Sequence, residues 1–205
     1  MSEEYKDQAA QDVEMTVNTK EEKPAKESKP SWDVFDIAEI FVLCTAFIVL
    51  FFSVFIRMTV VEGDSMTNTL QDGEYLLIQD FFYTPSRGDI VVVNDVTKES
   101  IGKMYSKPLV KRVIGIGGDT VEIKDGVVSI NGKAIDEPYI KEEMRPTDSL
   151  TVTLEENEVF VMGDNRNHSG DSRLIGPVDV RCIVGKAIVR IYPFDKFTIL
   201  SHAEG

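Results

Sequence analysis

The chain has 205 residues, 42% hydrophobic and 28% charged, which makes room for one ordinary domain and is too apolar for a wholly disordered protein. With 22 Lys and Arg against 35 Asp and Glu, its formal net charge of −13 excludes the clustered basic surface that phosphate binding needs, so no nucleic-acid partner is expected. Two cysteines (Cys44, Cys182) and two histidines (His168, His202) exclude a disulfide scaffold and a Cys/His zinc cluster; no metal or other cofactor is expected.

Three segments follow one another. Residues 1–39 hold five lysines and eleven acids, with almost no apolar clustering before Trp32. Such a stretch buries too little to offset chain entropy, and residues 1–33 are expected to be a disordered tail. Residues 40–56 carry no charge. Seventeen helical residues reach about 25 Å, and Val34, Phe35, Ile37 and Ala38 extend the run, so a transmembrane helix is expected over 34–57. A buried core helix competes with this reading. So does a cleaved signal peptide, but Arg57-Met58-Thr59-Val60-Val61 follows the run with no small-x-small site. Lys20, Lys23, Lys26 and Lys29 precede the helix, whereas Arg57 stands alone on the other side. That bias predicts a single-pass protein of the cell membrane with a cytoplasmic N-terminus and an extracytoplasmic domain over 58–205.

In that domain short β-rich runs alternate with turns: 75–79, 90–94, 109–116, 120–123, 127–130, 158–162 and 182–192. Asp125-Gly126 and Asn131-Gly132 sit between such runs, the strongest local hairpin signal. The domain is expected to be mainly β, an antiparallel, barrel-like sheet. Cys182 opens a strand-like run and is expected to pack.

Three segments can carry chemistry. Gly63-Asp64-Ser65-Met66 can expose a serine nucleophile on a turn whose backbone N–H groups face an oxyanion, although many Gly-Asp-Ser strings are plain turns. The serine needs a base, either His168 or a neutral lysine. In Leu109-Val110-Lys111-Arg112-Val113 the alternation places Lys111 with Leu109 and Val113. Burial of that face would lower the amine's pKa and make it a proton acceptor; otherwise Lys111 is an edge lysine reaching for water. Gly163 to Arg173 is dense in polar groups, either a solvated loop or a network fixing a site.

Taken together and in this order, behind an apolar anchor, these motifs resemble the type I signal peptidases, the membrane-anchored serine–lysine endopeptidases of bacteria, in their short single-anchor Gram-positive form. The resemblance covers roughly residues 38–195 and includes Gly88-Asp89-Ile90-Val91-Val92 and the continuation of the lysine strand through Gly117-Gly118-Asp119. It implies that Ser65 attacks the scissile carbonyl and that neutral Lys111 takes the proton. It also implies that Ser169 hydrogen-bonds the lysine amine, that Asp171 pairs with Arg173 and Arg112 with Asp164, and that Met66 packs beside the nucleophile. The implied substrates are signal-peptide-bearing preproteins, cut after small residues through an acyl-enzyme at the lipid bilayer. Such a peptide would bind as an added strand. The chain departs from the common pattern at Thr67-Asn68 and Gly117, where proline is frequent. Gly63 stands where some members place a serine that donates to the oxyanion. His168 occupies a position that the family does not use. Phe81-Phe82-Tyr83 and Tyr192-Pro193-Phe194 are either interface aromatics or core. A membrane-tethered β module without catalysis is the contrasting expectation.

Overall fold

The structure, a computed structural model, describes residues 33–94, 108–146 and 148–200. Most of the tail expected over 1–33 and His202 lie outside these residues. Contacts divide the chain into two compact units, Met1–Thr45 and Ala46–Gly205.

Helix α1 (Val34–Phe55) begins where the Asp36 carboxylate accepts the Asp33 N–H at 3.0 Å, an acidic N-terminal cap. Its two hydroxyl side chains, Thr45 and Ser53, donate to the Phe41 and Val49 carbonyls at 2.8 and 2.7 Å and leave no unsatisfied hydroxyl on an apolar surface. The segment 34–51 has a mean hydropathy of 2.4 and none of it is buried, so α1 is not the core helix of a globular domain. It is long and apolar enough to cross a bilayer and suits a membrane anchor. The helix stops two residues short of the expected boundary. Ile56 and Arg57 open strand β1 (Ile56–Val60), whose β-branched residues pair antiparallel with β2 (Tyr75–Gln79), Ile56 opposite Gln79.

The second unit is mainly β and antiparallel, as expected. The remaining strands are β3 (Ile90–Val93), β4 (Leu109–Gly115), β5 (Thr120–Lys124), β6 (Val127–Ile130), β7 (Lys133–Ala134), β8 (Leu150–Thr153), β9 (Glu158–Met162), β10 (Val178–Asp179), β11 (Ile183–Tyr192) and β12 (Thr198–Ile199). One sheet runs β1-β2-β11-β3-β4-β9-β10, with β12 on β11; the other runs β7-β6-β5-β8. Both expected tight turns form. Asp125 and Gly126 (φ 51° and 83°) join β5 to β6, and Asn131 and Gly132 (φ 53° and 80°) join β6 to β7.

Three apolar clusters hold these layers. Met66 and Leu70 from the turn after β1 pack with Leu76, Ile78 and Ala187. Ile114, Phe160 and Met162 pack against Val121, Ile123 and Val128 of the second sheet. Val91, Val93, Val113 and Val161 form the third, with Cys182 packed on it. Strand β4 is buried on both sides, so the lysine at its centre faces no solvent.

Candidate active site

The nucleophile turn follows β1 because the backbone reverses there. Gly63 has φ +79°, which L side chains rarely adopt, and its N–H donates to Asp72 Oδ1 at 2.7 Å. Beyond it Ser65 is half-buried, and Met66 is buried against Leu70 and Leu76 and anchors the turn to the sheet. A nucleophile needs this combination, a fixed backbone carrying an accessible hydroxyl.

Lys111 lies mid-strand in β4, opposite Val91 of β3, and is 3% exposed. Its Nζ donates to Ser65 Oγ at 2.6 Å. Burial pushes the amine down to about 8; Asp171 opposes that shift, Arg173 adds to it and Asp164 opposes it. The pair therefore has both the contact and the softened proton affinity that proton transfer requires.

Asp164 is a buried hub. Arg112 donates to both its oxygens, from Nε at 2.8 Å and Nη2 at 2.7 Å, and Thr69 Oγ1 donates to Oδ2 at 2.5 Å. One carboxylate thus ties the end of the nucleophile turn to the residue beside Lys111. Bidentate geometry fixes both planes, and the fully buried pair is costly to break on one side. Arg112 also donates to the Gly88 carbonyl at 2.8 Å and lies 4.0 Å from the Tyr139 ring centroid. Asp171 accepts Arg173 Nε and Nη2, both at 2.8 Å, and the Gly163 N–H at 3.0 Å.

Ser169 departs from what the family resemblance implies. Its Oγ is buried with no hydrogen-bond partner, and the Lys111 amine donates to Ser65 instead. Ser169 packs against Gly163, where an added Cβ would collide with Ser169 Oγ and the Ser65 carbonyl. The close approach needs glycine there and places the hydroxyl beside the nucleophile's backbone. His168 is exposed in a short 3-10 turn (Arg166–His168), and no hydrogen bond joins it to Ser65 among the described residues. The Ser–His alternative has no geometry behind it.

Several supporting residues lie in or against the motifs but had no role assigned from the sequence. Asn165 clamps the nucleophile turn: its N–H donates to the Ser65 carbonyl at 2.9 Å and its Nδ2 to the Asp64 carbonyl at 3.0 Å. The Arg166 guanidinium is gripped by both oxygens of Glu137. Segment 137–145 straps the final motif, with Lys141 N–H on the Asp164 carbonyl at 3.2 Å and Arg145 N–H on Asn167 Oδ1 at 2.9 Å. The Gly88-Asp89 motif is structural: Asp89 accepts the Tyr83 hydroxyl at 2.7 Å and pairs with Lys186 at 2.6 Å. Burial and, after it, the bond to Asp89 raise the Tyr83 hydroxyl pKa and make Tyr83 an internal anchor. Phe82, Tyr192 and Phe194 are exposed.

This constellation sits within a region recognisable by family. The chain belongs to the signal peptidase family, peptidase S26, whose model matches residues 34–192. It is 37% identical over 149 residues to a signal peptidase I of Bacillus licheniformis, covering 66% of this chain and 76% of that one. It is 34% identical over 192 residues to signal peptidase I T of Bacillus subtilis strain 168, covering 87% of this chain and 95% of that one. A crystal structure of a signal peptidase I from Enterococcus faecalis V583 aligns at 29% identity with a TM-score of 0.42, over 51% of this chain and 97% of that one. The chain is accordingly a serine endopeptidase of the signal peptidase I class.

Proposed function

We propose that the protein removes signal peptides from exported preproteins by a Ser65–Lys111 dyad, cutting after small residues at Ala-x-Ala-like sites. The observation that carries the reading is the 2.6 Å contact between Ser65 Oγ and the buried Lys111 amine. With the amine neutral, the Ser65 hydroxyl donates its proton to Nζ as Oγ attacks the scissile carbonyl carbon. The Ser65 N–H stabilises the oxyanion that forms. Lys111, now an ammonium, returns the proton to the departing amine, leaving an acyl-enzyme on Ser65. Water then attacks the ester while Lys111 accepts its proton and passes it to the departing Ser65 Oγ, which restores the serine and the neutral amine and releases the carboxylic acid product. Ser169 orders the loop beside the dyad; Asp164, Arg112, Asp171 and Arg173 keep Ser65 and Lys111 in register; Met66 and Gly63 fix the turn.

Helix α1 anchors the enzyme in the plasma membrane as a single pass, with residues 1–33 as a cytoplasmic tail and the β domain outside. Exposed Phe82, Tyr192 and Phe194 suit the water–bilayer boundary, where the substrate's apolar segment also lies. Detergent-solubilised protein incubated with a preprotein bearing an Ala-x-Ala site tests the reading. Mass spectrometry should find the new N-terminus directly after that site for wild type and not for Lys111→Ala. Intact preprotein with folded wild-type enzyme would instead favour a tethered module without catalysis.

A further inference from the structure

A cavity of about 370 Å³ opens at Ser169, lined among others by Ile123, Leu150, Leu174 and Arg166. It starts one residue from the nucleophile, since Ser169 packs on Gly163, which in turn touches the Ser65 backbone. Its walls are mixed: Ile123 is buried, Leu150 is half-buried and Leu174 is 70% exposed on helix α2 (Ser172–Ile175), while Asp148, Ser149, Arg166, Ser169 and Arg173 supply the polar part. Its polar lining is unusual. Arg166 has a side chain only 1% exposed, yet its Nε has no hydrogen-bond partner, and neither does Ser169 Oγ. The two guanidinium charges in the lining are already matched, Arg166 by Glu137 and Arg173 by Asp171, so the unpartnered Arg166 Nε and Ser169 Oγ, and not a free charge, are what this wall offers.

We propose that this cavity is the subsite for the leaving side of the scissile bond, taking an apolar side chain from the first two residues of the mature chain. The inference rests on the endopeptidase reading above. Two directions lead away from Ser65. On one side lie the strands carrying Met58, Tyr75 and Tyr192, with Phe194 in the 3-10 turn after β11, an exposed apolar edge suited to the lipid-embedded part of a signal peptide. In sheet order β4, the strand of Lys111, separates that edge from β9, the final motif and the cavity. The half that leaves with a free amine crosses this second side. A peptide needs there a lipophilic wall and a donor for a backbone carbonyl, and both are present.

The test uses the full-length enzyme in detergent with peptides sharing one Ala-x-Ala acyl half and carrying Leu or Asp at the second residue after the cut. Wild type should prefer Leu in kcat/KM by about tenfold, the order of one apolar pocket contact. In Leu174→Asp that ratio should collapse toward unity. An unchanged ratio in a variant that still cleaves overturns the subsite. A photoreactive phenylalanine analogue at the same position should label Leu150, Leu174 or their neighbours in the wild-type enzyme; labelling only elsewhere overturns it too. Failure of wild type to cleave any of these peptides sinks the endopeptidase reading, and this inference with it.

Discussion

The two halves of the dyad are built in opposite ways. Ser65 stands half-buried on a turn held by Gly63, Met66 and Asn165, whereas Lys111 is 3% exposed in the middle of a strand buried on both faces. A nucleophile must meet the substrate, so its element is a turn with a fixed backbone. A lysine base must lose its proton near neutral pH, so its element is one that excludes water. The fold supplies each residue with the environment its proposed role demands and joins them through one carboxylate, Asp164, which accepts from Thr69 on the turn and Arg112 on the strand.

Removing either half should have the largest effect. Ser65→Ala and Lys111→Ala should each lower kcat/KM for an Ala-x-Ala peptide by about 10³-fold or more, with thermal unfolding of Ser65→Ala essentially unchanged. Next comes the hub. Asp164→Ala leaves the Arg112 guanidinium buried and unpaired, which should cost about 3–5 kcal/mol in denaturant unfolding. A loss below about 1 kcal/mol would mean that the turn and the strand are held by something else. Asn165→Ala removes the side-chain bond to the Asp64 carbonyl, keeps the backbone bond to Ser65 and so loosens the turn without touching the dyad. It should lower kcat by about tenfold at nearly constant KM, the signature of a misplaced reacting group. The smallest effect sharpens the contrast: His168→Ala, at an exposed position, should change kcat/KM by no more than about twofold.

Much of this was legible in the sequence where local rules dominate. Asp125-Gly126 and Asn131-Gly132 dictated their turns because only left-handed backbone closes them. Tyr75–Gln79, Val127–Ile130 and Glu158–Met162 coincide with the expected runs. β1 was hidden because Ile56 ends an apolar helical run and Arg57 reads as the last residue of the same helix, and only pairing with β2 turns the chain extended. β7, β10 and β12 are two residues each, too short for any period to emerge. Alternation marked a face for Lys111 but could not tell that β4 is covered on both sides. The strap through Glu137 and Tyr139 was invisible, since it acts across sequence separations that no local pattern encodes. Ser169 was placed by resemblance as the partner of the lysine amine; its packing against Gly163 leaves its hydroxyl unpaired instead.

The central claim is that Lys111 is the base because burial lowers its pKa to about 8. Above that value the amine is mostly neutral and accepts the serine proton; below it the ammonium cannot, so reactivity must fall as pH drops. The most direct measurement is the pH dependence of the rate at which an acylating inhibitor modifies Ser65, with mass spectrometry locating the adduct. The account predicts a rate that rises with pH through a midpoint near 8 and is unchanged in His168→Ala. A midpoint near 6.5 that vanishes in His168→Ala, or a rate independent of pH, would contradict it.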